Sequence, residues 1–129
     1  MDYKVDPQAR YAKTHEWVRV EGGEAVIGIS DYAQNKLSDI VFIEVPGLGT
    51  ELKAGAACMV IESVKAAEEV FAPVSGSVVA RNELLEKTPE VVNTDPFGKG
   101  WLVRVKLAAP AEAAGLMDAA AYTAYLATV

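Results

Sequence analysis

The segment Met59-Val60-Ile61-Glu62-Ser63-Val64-Lys65-Ala66-Ala67-Glu68-Glu69-Val70-Phe71 offers the clearest opportunity for chemistry in this 129-residue chain. Strand-forming apolar residues flank Lys65 on both sides, and the residues between them are small or polar, without Gly or Asn. A type I turn accepts ordinary residues at its two central positions, so Val64-Lys65 is expected to form a hairpin tip. The lysine amine then stands at the point furthest from the core, where another protein can reach and modify it. Glu62, Glu68 and Glu69 add negative charge that can orient a partner. On local features alone, a lysine at a strand turn is ordinarily a solvated side chain.

The other reactive side chains are few. The chain has one cysteine, Cys58, so an intrachain disulfide is impossible. It has one histidine, His15, and a His/Cys metal site needs three or four such ligands, so no metal is expected. The same shortage weakens a Ser-His or Cys-His catalytic reading, and no catalytic residue is assigned. His15 is read as a hydrogen-bonded structural imidazole, and Cys58, inside an apolar strand, as a buried small hydrophobe. Gly22-Gly23 and Gly98-Lys99-Gly100 read as turn devices, and neither matches a phosphate-binding loop.

Charge and length narrow the field further. Eighteen acidic against 12 basic residues give a net charge of −6, which argues against nucleic acid or anionic membrane as a partner. No apolar run approaches the roughly 20 residues that span a bilayer. Met1-Asp2-Tyr3-Lys4 has neither a signal-peptide nor a transit-peptide character. A cytoplasmic, bacterial protein is expected; a mitochondrial-matrix location would require a transit peptide already removed.

These residues need a rigid platform, and the pattern supplies one. The hydrophobic fraction of 51% and charged fraction of 23% suit one soluble domain over 1–129, with a core over about 11–107 and a helical segment over about 110–127. Trp17–Val20 and Ala25–Ile29 flank Glu21-Gly22-Gly23-Glu24, as a β-hairpin would. Ser30-Asp31 can cap a short helix that turns Ala33 and Leu37 inward. Strands are expected around Ile40–Ile43, Ala56–Ile61, Val70–Ala72, from Val78, and over Trp101–Leu107. The segment Leu84–Asn93 reads as loop with a helical turn. Asp118 is placed to cap a last helix containing Tyr122, Tyr125 and Leu126. Short strands with helices at the edges indicate a small β-sandwich or barrel.

Glu62-Ser63-Val64-Lys65-Ala66, followed by Ala72-Pro73-Val74-Ser75-Gly76, resembles the lipoyl-attachment hairpin of glycine cleavage system H proteins. His15-Glu16-Trp17, Gly28-Ile29-Ser30-Asp31-Tyr32-Ala33-Gln34 and Asp95-Pro96-Phe97-Gly98-Lys99-Gly100-Trp101 resemble the other signatures of that family, in the same order. The resemblance runs from about Tyr11 to Leu126, and ordered motifs at family spacing are far more specific than a single pattern.

The resemblance implies a mostly β, barrel-sandwich hybrid fold with short peripheral helices. It implies lipoate as cofactor, held covalently on Lys65 within the attachment motif Glu62, Ser63, Val64 and Ala66. It also implies a non-catalytic carrier. The partners would be the glycine decarboxylase (P-protein), which transfers an aminomethyl group to the lipoyl sulfur, and the aminomethyltransferase (T-protein), which takes up the one-carbon unit. Dihydrolipoamide dehydrogenase (L-protein) would reoxidise the dithiol, and a lipoate ligase or lipoyltransferase would load Lys65. A cleft that shelters the loaded arm is implied at Glu16, with Thr14 and Glu69. A carboxylate suits a cationic amine, although Glu16 on its own also reads as a surface glutamate beside a buried Trp17. On the short helix, Lys36 is aligned where family members often carry a histidine.

Neighbouring readings differ at the tip. Lipoyl domains of 2-oxoacid dehydrogenase acyltransferases usually carry Asp-Lys-Ala, and biotinyl carriers Met-Lys-Met, whereas Val64 and Ala66 flank this lysine. A relay of lipoyl groups to 2-oxoacid dehydrogenase complexes, or an unmodified scaffold of the same fold, would use the same architecture.

Overall fold

Alternating apolar residues and frequent turns build two antiparallel sheets in the computed structural model, which describes residues 2–129. The strands are β1 (Arg10–Tyr11), β2 (Glu16–Glu21), β3 (Glu24–Ile29), β4 (Ile40–Glu44), β5 (Glu51–Leu52), β6 (Ala57–Ser63), β7 (Ala67–Phe71), β8 (Gly76–Arg81) and β9 (Val103–Leu107). Six of them form one sheet in the order β1-β2-β3-β9-β8-β5, and β4-β6-β7 form a three-stranded second sheet. The helices are α1 (Asp31–Leu37), α2 (Val91–Thr94), α3 (Ala111–Ala114) and α4 (Ala119–Leu126), with a 3₁₀ turn at Glu83–Glu86. This is the expected sandwich with peripheral helices, and among the described residues no helix is long and apolar enough to cross a membrane.

Period-two alternation explains how β3 serves two cores at once. Ala25, Ile27 and Ile29 face the main core with Ile61, Val70, Val78, Val103 and Val105. Val26 faces the other way, into a smaller cluster with Ala9, Tyr11, Trp17 and Tyr122. There the Tyr122 ring of α4 stacks on Tyr11 with centroids 4.2 Å apart. The second core therefore fastens the C-terminal helix beside the start of β2.

Trp17 stands opposite Gly28 across the β2–β3 ladder, and its ring occupies the space a side chain would take. A Cβ on Gly28 would lie 2.4 Å from Cζ2 of Trp17. The ring cannot give way cheaply, because its Nε1–H donates to the carbonyls of Ile29 at 3.0 Å and Pro96 at 3.1 Å. Gly28→Ala is expected to destabilise the fold by about 1–3 kcal/mol through overpacking, measurable by urea denaturation.

Several boundaries differ from the sequence expectation. β9 begins at Val103 rather than Trp101, because the Asn82 amide donates to the carbonyls of Lys99 and Trp101, both at 2.7 Å. β7 begins at Ala67, three residues before Val70, since ladder pairing with β6 continues to Glu62. The two-residue strands β1 and β5 are too short to leave a periodic trace. The C-terminal segment divides into α3 and α4, where Tyr11 and Met117 exchange backbone hydrogen bonds of 2.8 and 3.0 Å. Both expected side-chain caps are present: Ser30 accepts from the Ala33 N–H and Asp118 from the Ala121 N–H.

Candidate functional site

β6 and β7 run to a two-residue tip, Val64-Lys65, between Ser63 and Ala66. Both tip residues keep negative φ, as a turn of ordinary residues requires. The Ser63 hydroxyl holds the tip together. It accepts from the N–H groups of Lys65 at 3.2 Å and Ala66 at 3.1 Å, and lies 3.1 Å from the Ala66 carbonyl. The Val64 N–H donates to the Asp39 carbonyl at 2.9 Å, anchoring the tip to the residue preceding β4. The Lys65 side chain is exposed and makes no hydrogen bond or ion pair among the described residues. A rigid backbone thus presents a free amine.

Lys65 also stands at the rim of a cleft of about 460 Å³ between α1, the start of β2 and the β6–β7 hairpin. Its walls include the apolar Ile29, Ala33, Leu37, Ile61 and Val70, together with Thr14, Glu16, Tyr32, Lys36, Glu68 and Glu69. Apolar walls ending in carboxylates suit an elongated apolar group with a cationic end.

Glu16 is the buried carboxylate of this cleft, only 2% exposed. One of its oxygens accepts from the Thr14 hydroxyl, and Oε2 accepts from the Phe71 N–H at 3.0 Å. Burial raises its carboxyl above the ordinary value, partly opposed by these hydrogen bonds. Glu16 therefore ties β2 to the end of β7, so the reading of it as a mere surface glutamate does not hold. Each carboxylate oxygen has a further lone pair available to a donor in the cleft.

His15 also lines this cleft and has φ of 79°, a left-handed conformation that is rare for a residue with a side chain. Its carbonyl accepts from the Ser30 N–H at 2.9 Å. Its Nδ1 is 2.8 Å from the Tyr122 hydroxyl, which donates to Ser30 Oγ at 2.7 Å. The Tyr122 hydroxyl thus joins His15 Nδ1 to Ser30 Oγ in one hydrogen-bonded chain. Burial lowers the imidazole's proton affinity, which favours the neutral ring. Expectation and structure agree on a structural imidazole. Tyr122→Phe removes the hydroxyl joining α4 to α1 and β2, with an expected loss of roughly 1–3 kcal/mol by thermal or urea unfolding.

The structure brings Thr14, Glu16, Lys65 and Glu69 to one cleft, and Ala66 lines it as well. It separates Glu62, which pairs with Ala67 and Phe42 on the outer face of the sheet. It adds Glu68, whose ladder partner is the buried Ile61, so the register turns Glu68 toward the cleft face while Glu69 pairs with Val60. In the sequence Glu68 is only nearby charge; the signal that places it is the strand alternation extended from Val70 back to Glu68. On α1, the ring beside His15 is Tyr32, with centroids 4.4 Å apart. Tyr32 and Lys36, one turn apart on α1, both line the cleft. Cys58 packs against the main core, and burial, reinforced by the charge of Glu16, pushes its thiol up to about 11. The expected buried hydrophobe is thus only half-buried, packed against the core from one side, with a thiol disfavoured from ionising.

Comparisons with known proteins converge. The family model described as "Glycine cleavage H-protein" matches residues 9–129. A glycine cleavage system H protein of Aeromonas salmonicida is 51% identical over 119 residues, covering 92% of each chain. One from Beijerinckia indica is 52% identical over 120 residues, covering 93% of this chain and 97% of that one. Among solved structures, the crystal structure of a glycine cleavage system H protein from Mycobacterium marinum superposes with a TM-score of 0.87 at 31% identity. That match covers 95% of this chain and 99% of the other.

Proposed function

We propose, since this chain belongs to the glycine cleavage H-protein family, that its lipoyl group is held as an amide on Lys65. The chain is a lipoyl carrier of the glycine cleavage system. The observation that supports Lys65 most strongly is its placement: an exposed amine on a backbone tip pinned by Ser63 and Asp39, at the rim of a cleft the arm can enter.

The carrier has no catalytic group of its own in this reading. When bound, the lipoyl group supplies the sulfur that accepts the aminomethyl unit and the dithiol that is later reoxidised. The P-protein, T-protein and L-protein meet that arm in turn, and a lipoate ligase or lipoyltransferase installs it. Tethering makes each meeting local, with effective concentrations of ~mM for flexible linkers.

Glu16 and Thr14 hold the loaded arm together with Glu69, which lines the cleft although its register sets it on the other face of β7, while Glu68 stands on the cleft face itself. A cation entering the cleft favours the ionised form of Glu16, reversing the effect of burial. The apolar walls keep water from the arm while the carboxylates position its amine. Reconstitution tests the role: the lipoylated chain, added to the three partner enzymes, is expected to make glycine oxidation saturable in carrier. A lipoylated chain that leaves glycine untouched, yet passes its lipoyl group to a 2-oxoacid dehydrogenase, would replace this reading with a relay.

A further inference from the structure

The outer face of the three-stranded sheet carries apolar residues that neither the core nor the cleft uses. Ile40 pairs with Ser63, and Phe42 with Glu62, so Val41 and Phe42 both stand opposite Glu62. This β-bulge turns two successive apolar side chains outward. Val41 is 54% exposed, Phe42 51%, and Val64 at the tip 68%. The bond from the Val64 N–H to Asp39 fixes the tip beside the start of β4, so the three belong to one surface. Exposed Asp39, Glu44 and Glu62 surround them. A single exposed valine is ordinary, but three large apolar side chains gathered by a bulge beside a reactive tip mark a contact surface.

We propose that this surface docks the enzyme that attaches the lipoyl group to Lys65; the inference rests on Lys65 being the attachment point. Reach selects the occupant. A bare lysine amine extends only about 6 Å from its Cα, the span of five single bonds. An enzyme acylating it has to close on the tip itself and meets Val64, Val41 and Phe42. The sulfurs of a finished arm stand about 14 Å out, so enzymes that act on them engage the arm without covering the bulge. The fitting partner surface is an apolar hollow rimmed by Lys and Arg, opposite Asp39, Glu44 and Glu62.

The test titrates lipoyl-free carrier against a lipoate ligase with lipoate and ATP. The double variant Val41→Thr, Phe42→Thr keeps strand-forming β-branched residues and removes the apolar surface. Its KM as a substrate is expected to rise about 10-fold or more, with kcat within about twofold of wild type. The wild-type KM is expected to rise with salt, reflecting the acidic rim. Once driven to full lipoylation, the double variant is expected to cycle with dihydrolipoamide dehydrogenase at the wild-type rate. If its melting point falls, Val41→Thr alone is read instead, with a smaller rise in KM in the same direction. An unchanged ligase KM overturns the surface, and so does an equal loss with the dehydrogenase, which would make it a general docking face. A wild-type dimer that dissociates in the variant overturns it in favour of self-association. A wild-type chain that takes up no lipoyl group removes the attachment reading and this surface with it, whereas a lipoylated Lys65 with unchanged variant KM removes the surface alone.

Discussion

Lys65→Arg is expected to abolish carrier activity while leaving the fold intact. Arginine keeps the positive charge and the length of the side chain, but its guanidinium stays protonated and offers no amine to acylate. The tip does not depend on the lysine side chain: its backbone is held by the Ser63 hydroxyl and the Asp39 carbonyl. Melting should therefore match wild type. Glycine-dependent NADH formation with the three partner enzymes should fall about 100-fold or more, since a tethered reactant is replaced by none. Residual turnover above that level would mean that a second lysine carries the group.

Replacing Glu16 separates its structural role from its proposed role toward the arm. Glu16→Ala leaves the Thr14 hydroxyl and Phe71 N–H without their acceptor, an expected loss of roughly 1–3 kcal/mol. Glu16→Gln keeps an oxygen for Phe71 and an amide N–H for Thr14, so it should fold close to normally. Neither variant can offer a carboxylate to an ammonium group. Both should accept lipoyl on Lys65 at the wild-type rate, yet lose the loaded aminomethyl group about 10–100-fold faster, the worth of a charge-assisted hydrogen bond. An unchanged lifetime would remove Glu16 from the site.

The same carboxylate gives stability a pH dependence whose sign is fixed. Its folded-state value lies above the ordinary 4.5, so the folded chain holds the proton more tightly than the unfolded chain. Stability gained from burying the neutral acid is present at low pH and is lost as pH rises from about 4.5 through the raised value. Glu16→Gln should flatten that part of the stability profile, measured by denaturant unfolding across the range.

Much of this was legible from the residues because local chemistry and global fold agree. Ser30 and Asp118 read as helix caps, Gly22 sits at the expected hairpin turn with φ of 67°, and the Lys65 tip needed only a turn of ordinary residues. What stayed hidden depends on partners distant in sequence. Nothing near Glu16 announces that Phe71, 55 residues on, donates to it. The link from His15 to Tyr122 spans 107 residues and joins two elements that share no pattern. Glu68 and Glu69 differ only in the face that the ladder register gives them, and the bulge at Val41 is invisible without the β4–β6 pairing. In the sequence Ser63 is one member of an attachment motif; that its hydroxyl organises the tip follows from the backbone geometry.

The attachment itself is tested most directly by the intact mass of the chain produced with lipoate and a competent ligase, followed by peptide mapping. The expected result is a single lipoyl addition, confined to the peptide bearing Lys65. An unshifted mass, or a lipoyl group mapped to any other lysine, contradicts it.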